Sequence, residues 1–211
     1  MTRIAIIDYG MGNLRSVERA LTRVAPYADI VVTDQAHQLL AADRVVFPGQ
    51  GALPDCMKRL EQRQLTGVVR RLMRDRPFLG ICLGLQVLFD VSEEGDAPGL
   101  GILPGQVCRF ADDSFDEKGT RLKIPHMGWN TVIPVADHQL WTGIPALARF
   151  YFVHSYYVRE QQTEHCAAYT QYGTRFTSAV LSENVFAVQF HPEKSAENGL
   201  ALLSNFVNWN P

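Results

Sequence analysis

The chain has 211 residues, of which 46% are hydrophobic and 20% are charged, and its formal net charge is -2. This length and composition exclude a largely disordered chain and are typical of one globular domain, so we expect residues 1–211 to form a single domain. The lack of a basic excess argues against nucleic acid and anionic membranes as partners.

The cysteines and the apolar runs indicate the cellular compartment of the protein. Four cysteines lie far apart without a C-x-x-C pair, which disfavours a zinc cluster or a disulfide framework. The apolar stretch after Met1 is too short for a signal peptide, and no apolar run reaches membrane-spanning length. We therefore expect a protein of the reducing cytoplasm that binds no membrane.

Short apolar runs alternate with helical patterns over the first ninety residues. This alternation predicts an α/β fold with a doubly wound, mostly parallel sheet. The predicted strands cover residues 4–7, 30–33, 45–47 and 78–81. The predicted helices cover 14–24, 34–40 with Asp34 as the N-cap, and 65–73, where Pro77 follows as a stop signal.

The second half of the chain changes its pattern before it returns to the α/β alternation. Short segments punctuated by Gly and Pro predict antiparallel strands over 101–158, with a mobile acidic loop at 112–118. An apolar strand over 185–190 and a closing helix over 200–207 complete the pattern. Parallel strands present functional groups at their carboxyl ends, where we expect Gly49, Cys82 and His191 to meet.

Cys82 lies between two glycines in the segment Gly80-Ile81-Cys82-Leu83-Gly84, where a strand pattern gives way to a helical one. This spacing is typical of a nucleophile elbow, in which the central side chain projects from a strained turn. The positive end of the following helix would stabilise a thiolate, and the Leu83 N–H would face an oxyanion. The alternative is a small buried hydrophobic residue.

His191 and Glu193 provide candidates for the base and its orienting acid. Both follow the last apolar strand, and Pro192 fixes the backbone between them. A thiol nucleophile needs a base, and that base needs an acceptor on its other ring nitrogen. The alternatives are a structural histidine and a solvated surface acid.

Further residues are candidates for binding the substrate and its oxyanion. The loop Gly49-Gln50-Gly51 follows the third strand, so its amides can complete an anion hole opposite Leu83. Gln86 lies one helical turn beyond Cys82 and can reach the same cleft. The alternatives are an ordinary strand-to-helix turn and a surface glutamine.

The motifs Gly80–Gln86 and Gln189–Glu193 resemble those of class I glutamine amidotransferases. Further segments, among them Pro48–Gly51, Pro125–Asn130 and Tyr151–Tyr156, resemble the glutaminase subunits of imidazole glycerol phosphate synthases. The resemblance spans nearly the whole chain. It implies a flavodoxin-like fold and the hydrolysis of glutamine, and it implies no metal or organic cofactor.

By this resemblance, Cys82 is the nucleophile, His191 the base and Glu193 the orienting acid. The resemblance also implies a heterodimer with a cyclase subunit of (β/α)₈-barrel fold, which receives the ammonia and makes imidazole glycerol phosphate. The residues that the resemblance assigns to this interface are Asn13, Met127, Trp129, Asn130, His154, Tyr156 and Lys194. For Trp129 and Tyr156, packing in the core is an equally good interpretation.

Three rival interpretations remain open at the level of sequence. A Cys-His-Glu site also suits a cysteine peptidase or a γ-glutamyl hydrolase on a related scaffold. The chain is also compatible with a flavodoxin-like binding protein whose thiol is incidental. A third possibility is the amidotransferase subunit of a different synthase, such as one that makes anthranilate or pyridoxal phosphate.

Overall fold

The structure, a computed structural model, describes residues 1–116 and 118–211. The strands are β1 (Arg3–Ile7), β2 (Asp29–Thr33), β3 (Arg44–Gly49), β4 (Phe78–Cys82), β5 (Val91–Ser92), β6 (Ala97–Pro98), β7 (Gly105–Arg109), β8 (His126–Thr131), β9 (Ile133–Pro134), β10 (Arg149–His154), β11 (Tyr156–Glu160), β12 (Cys166–Tyr172), β13 (Thr174–Ser182) and β14 (Val185–Val188). The α-helices are α1 (Leu14–Val24), α2 (Ala36–Leu40), α3 (Leu53–Gln62), α4 (Thr66–Asp75), α5 (Leu83–Gln86) and α6 (Ala196–Asn208). Among these residues, no helix is both long and apolar enough to cross a bilayer.

Five parallel strands form the centre of the fold in the order β2-β1-β3-β4-β14. Helices connect β1, β2, β3 and β4 in turn, which is the topology that the alternating pattern predicts. The α/β fold with its mostly parallel central sheet is therefore confirmed. The carboxyl ends of β3 and β4 lie side by side, since Gly49 pairs with Cys82 across the two strands.

Antiparallel strands extend this sheet on the β14 side. β13 pairs with β14, β11 with β13, and β7 with β11, all antiparallel. A separate antiparallel pair, β8 and β10, lies outside the main sheet. The antiparallel region predicted over 101–158 is confirmed, although the short β5 pairs in parallel with β7. Glu117, within the predicted acidic loop, lies outside the described residues.

Side chains alternate between the two faces of the parallel sheet. In β1, Ile4 and Ile6 belong to one buried cluster, while Ala5 and Ile7 belong to the other. The first cluster includes the apolar residues of α1 and α6, and the second includes those of α3 and α4. Helices therefore cover both faces, which explains why β1, β3 and β4 read as continuous apolar runs.

Two local predictions are wrong. Helix α2 begins at Ala36 after Gln35, and Asp34 does not cap it, because the Asp34 carboxylate pairs with Arg63 at 2.5 Å. The strand predicted over 185–190 ends at Val188. The reason is that the backbone N–H of His191 donates to the Tyr151 carbonyl of β10, which draws the chain away from β4.

Candidate active site

Cys82 occupies a tight turn between β4 and α5. Its φ of 55° and ψ of -103° lie where residues with side chains are rarely found. A Cβ on Gly80 would lie 2.4 Å from the Gly84 carbonyl oxygen, and one on Gly84 would lie 2.1 Å from that of Phe47. Both glycines therefore permit a close approach of strand and helix, as the elbow geometry requires.

The helix after Cys82 is shorter than the sequence suggests. α5 covers only the four residues Leu83–Gln86, so aligned peptide dipoles contribute little charge stabilisation at Cys82. Cys82 is 7% exposed, and the side-chain amide of Gln189 donates to its sulfur at 3.6 Å. Side chains, more than a helix dipole, therefore set the environment of this thiol.

His191 and Glu193 form a buried pair at the short helical turn Pro192–Lys194. The His191 Nδ1 lies 2.9 Å from the Glu193 Oε1, and the two side chains are 3% and 1% exposed. Burial alone would lower the pKa of His191, but the charges of Cys82 and Glu193 outweigh it and raise this pKa to about 10. Since Nε2 of His191 has no hydrogen-bond partner among the described residues, this nitrogen remains available for proton transfer.

The turn that carries this pair is anchored by residues that the sequence does not single out. The Ser195 hydroxyl donates to the His191 carbonyl at 2.6 Å and accepts from the Tyr151 N–H at 2.9 Å. A Cβ on Gly199 would lie 1.9 Å from the Pro192 carbonyl oxygen, so α6 packs directly against the turn. These contacts fix the position of His191 from both sides.

The predicted oxyanion loop lies next to the elbow. A Cβ on Gly49 would lie 2.6 Å from the Leu83 Cβ and 2.8 Å from the Tyr9 hydroxyl, so only glycine fits there. Gly51 has a φ of 97°. Leu83 is the first residue of α5, and its N–H therefore has no acceptor within the helix.

One cavity of about 310 Å³ collects most of the predicted catalytic and substrate-binding residues. Its lining includes Gln50, Gly51, Cys82, Leu83, Gln86 and His191. Glu94 also lines it, a residue that the sequence does not reveal because nothing in its local pattern differs from that of a surface acid. The Glu94 carboxylate accepts from the Leu53 N–H at 2.8 Å, which ties it to the start of α3.

Gln86 points into this cavity, but its amide nitrogen is already engaged. Nε2 donates to the Tyr156 carbonyl at 3.0 Å and to the Gln189 Oε1 at 3.2 Å. An amide nitrogen has two hydrogens, so only the Gln86 oxygen remains for a ligand.

The predicted interface residues divide into three groups. Met127 and Trp129 on β8 are 61% and 43% exposed, and with Asn130 they line a second cavity of about 660 Å³. His154 is 6% exposed and lines the first cavity together with Tyr156. Asn13 and Lys194 are half-buried. A direct contact with a partner stays a prediction for all seven residues.

Comparison with known proteins identifies the class to which this fold and site belong. The family model described as "Glutamine amidotransferase class-I" matches residues 5–209. The chain therefore belongs to the class I glutamine amidotransferase family and is an enzyme of that class, which confirms the resemblance read from its motifs.

Two relatives of this chain carry names that are more specific than that of the family. A protein of Aromatoleum aromaticum is 57% identical over 212 residues, with 100% of both chains covered. A protein of Thiobacillus denitrificans is 55% identical over 99% of this chain and 92% of its own. Both are named imidazole glycerol phosphate synthase subunit HisH.

Solved structures agree on the fold. The structure of PurLQS from Thermotoga maritima matches with a TM-score of 0.72 and 18% identity, over 98% of both chains. A glutamine amidotransferase from the same organism matches with a TM-score of 0.62 and 16% identity, over 93% of this chain and 78% of its own. At this level of identity, the likeness concerns the fold alone.

Proposed function

We propose that this chain is the glutaminase subunit of an imidazole glycerol phosphate synthase in histidine biosynthesis. It hydrolyses L-glutamine to glutamate and passes the ammonia to a cyclase subunit. The observation that carries the proposal is the presence of Cys82 on its elbow and of His191 in the same cavity. The names and full-length similarity of the relatives support the choice of synthase.

The cavity suits a single amino acid as substrate. Its volume of about 310 Å³ is at the small end for ligand sites. The Glu94 carboxylate and the Gln86 oxygen can both accept hydrogen bonds from the α-ammonium group. The glutamine side chain would then extend toward Cys82, with its amide oxygen at the Leu83 and Gly51 amides.

In the first half of the reaction, the Cys82 thiolate attacks the amide carbon of glutamine and forms the carbon–sulfur bond. The negative charge moves to the amide oxygen, where the backbone N–H groups of Leu83 and of the Gln50–Gly51 loop stabilise it. His191 donates its proton to the amide nitrogen, and the carbon–nitrogen bond breaks. Ammonia departs, and the γ-glutamyl group remains bound to Cys82 as a thioester.

In the second half, water hydrolyses this thioester. His191, now neutral, takes a proton from the water as it attacks the carbonyl carbon. The carbon–sulfur bond breaks and glutamate leaves, which restores the thiolate and the protonated imidazole. Glu193 stabilises the imidazole whenever it is charged and holds it in one orientation throughout.

The released ammonia needs a protected route to an acceptor. In water at neutral pH it becomes protonated and loses its nucleophilicity. We infer that residues 1–211 form one glutaminase domain and that a cyclase barrel in a heterodimer supplies the acceptor site. The exposed Met127 and Trp129 support β8 as part of the docking surface. A reducing cytoplasm suits a reaction that depends on a free thiol.

Mixing the chain with a candidate cyclase tests the function and the partner together. Glutamate release is measured with and without the cyclase and its nucleotide substrate. We expect the rate to rise about 5- to 150-fold when both are present, the usual range for coupled sites, and Cys82→Ala to abolish it. Glutamate release at full rate without a partner would contradict the coupling, and an active Cys82→Ala variant would contradict the thioester.

A further inference from the structure

A buried amide lies against the proposed nucleophile. Gln189 is 0% exposed, and its Nε2 donates to the Cys82 sulfur at 3.6 Å. Its Oε1 accepts a hydrogen bond from the Gln86 Nε2 at 3.2 Å. If this amide turned over, its oxygen would face the sulfur and its NH₂ group would face that of Gln86. Both new contacts are repulsive, so Gln86 keeps Gln189 in the donating orientation.

The orientation of Gln86 depends in turn on a backbone carbonyl. Its Nε2 also donates to the Tyr156 oxygen at 3.0 Å, and a carbonyl oxygen can only accept. The same oxygen accepts from the His154 Nδ1 at 2.7 Å. Two donors therefore hold the Tyr156 carbonyl in place.

Two buried histidines extend this arrangement to β8. Because His154 Nδ1 carries a proton, the neutral ring must accept at Nε2, which lies 2.9 Å from the His126 Nδ1. His126 must then accept at its own Nε2, which lies 3.2 Å from the Asn130 amide nitrogen. Each ring thus makes one donating and one accepting bond, which only the neutral form allows. Burial lowers the pKa of both imidazoles, in agreement with this assignment.

We propose that Gln189 is a further catalytic residue, whose amide donates a hydrogen bond to the Cys82 thiolate and favours that form over the thiol. Gln86, His154 and His126 are positioning residues that keep the amide in this orientation. The proposal rests on the proposed glutaminase reaction only in that Cys82 attacks as a thiolate. Its test needs neither glutamine nor a partner. A failure of this proposal can therefore be distinguished from a failure of the proposed glutaminase function.

The test compares Gln189→Leu with Gln189→Glu in the full chain. Leucine removes the donor, whereas glutamate keeps the shape and the bond from Gln86 but places a carboxylate oxygen against the sulfur. The probe is iodoacetamide, and the rate at Cys82 is followed by peptide mass spectrometry as a function of pH. At neutral pH we expect alkylation to slow roughly 10- to 100-fold in the leucine variant, the size expected for a hydrogen bond to a charge, and further in the glutamate variant.

The pH profile separates this role from packing. Tyr9 and His191 are titratable groups that interact with Cys82, while Glu193 and His154 interact with its base His191, and none of the four is altered in either variant. We expect the midpoint of the alkylation profile to lie at a higher pH in Gln189→Leu than in the parent, and at a still higher pH in Gln189→Glu. Gln62→Glu, which adds the same charge at an exposed site on α3, should leave the midpoint unchanged. Equal midpoints for the parent and both Gln189 variants would overturn the proposal.

A second pair of variants tests the positioning residues. In His154→Gln, an amide can still donate to the Tyr156 carbonyl and accept from His126, whereas His154→Leu can do neither. We expect the leucine variant to alkylate at least a few times more slowly than the glutamine variant. Equal rates would show that the histidines do not keep the Gln189 amide in its donating orientation. Circular dichroism and urea unfolding confirm that each variant is folded before its rate is compared.

Discussion

Cys82 combines a strained backbone with a nearly buried sulfur. The positive φ of 55° persists because Gly80 and Gly84 let β4 and α5 pack closely around it. Strain of this kind costs about 1 to 3 kcal/mol, and the strained turn lets Cys82 line the cavity although its residue is buried. At this scale the active site depends on the backbone as much as on its reactive groups.

Glu193 is the residue whose replacement best separates orientation from basicity. In Glu193→Gln the side chain keeps its shape but loses the negative charge that stabilises the imidazolium of His191. We expect kcat for glutamate release to fall roughly 10²- to 10⁴-fold while turnover stays measurable. Steady-state kinetics with the partner present measure this. Unchanged kcat would show that the 2.9 Å contact between the two side chains has no catalytic role.

The sequence singles out the proposed reacting residues but not the contacts that support them. Cys82 and His191 lie in short motifs whose residue spacing indicates the local backbone geometry and the proposed role. Gln189, Ser195 and Glu94 have partners far away in the chain, as in the contact between Gln189 and Cys82. Local patterns contain no information about such pairs, because folding alone brings them together.

At the scale of elements, the fold depends on direct contact between the backbones of β3 and α5. Gly84→Ala would place a methyl group 2.1 Å from the Phe47 carbonyl oxygen, so strand and helix must separate. We expect a loss of about 1 to 3 kcal/mol or more in the free energy of unfolding, measured with urea.

Gly67→Ala provides the matched control. This glycine lies on an exposed face of α4, and a Cβ there would meet no atom within 4 Å. Alanine is the better helix former, so the free energy of unfolding should rise by up to about 1 kcal/mol. Equal effects of the two substitutions would contradict the close packing at the elbow.

The antiparallel pair β8 and β10 gives the protein a sensitivity to acid. Burial lowers the pKa of His126 to about 4 and that of His154 to about 3. Between those values and about 6.5, the unfolded chain binds more protons than the folded one, so the free energy of unfolding falls as the pH falls. The contribution is fully present above pH 6.5, with a slope of at most about 1.4 kcal/mol per pH unit for each ring.

Urea unfolding at pH 7.5 and pH 5.0 measures this effect. We expect His126→Gln to lose less stability between the two pH values than the parent does, because it carries one titrating ring fewer. His37→Gln, at an exposed position on α2, should behave as the parent does. An identical loss in parent and His126→Gln would show that this ring is not a source of the acid sensitivity.

The pattern of the chain predicts which elements form, but it is less informative about where they end. The helix after Cys82 is one turn long, and β14 ends at Val188 because His191 bonds to Tyr151. Asp34 has the sequence signature of an N-cap, yet Arg63 on the chain just after α3 takes its carboxylate. In the last two cases a tertiary contact overrides a local preference.

At the scale of the whole molecule, the cavity lined by Cys82 and His191 and the exposed face of β8 are neighbours. His126 and His154 lie between them, as His154 lines the cavity and His126 lies on β8. Docking at β8 would therefore place an acceptor site near the point where ammonia is released, which agrees with the proposed heterodimer.

Met127→Glu tests this surface. Met127 is 61% exposed, so the change should cost the isolated chain little stability, but it would bury a charge in an interface. We expect the affinity for the cyclase, measured by titration calorimetry, to fall at least about 10-fold. Tyr27→Glu is the control, because Tyr27 is 87% exposed and precedes β2, the edge strand of the main sheet to which β8 does not belong. Equal affinities for the two variants would exclude Met127 from the interface.

Covalent labelling with a glutamine analogue that carries an electrophilic carbon in place of the amide tests the central claim most directly. The chain contains four thiols, and the lining of the cavity that holds His191 includes Cys82 but none of the other three. We predict that Cys82 reacts at least about 100-fold faster than Cys56, Cys108 and Cys166, and that glutamine protects it. Labelling of Cys82 at the rate of the half-buried Cys166, with no protection by glutamine, would contradict the proposed role of the thiol.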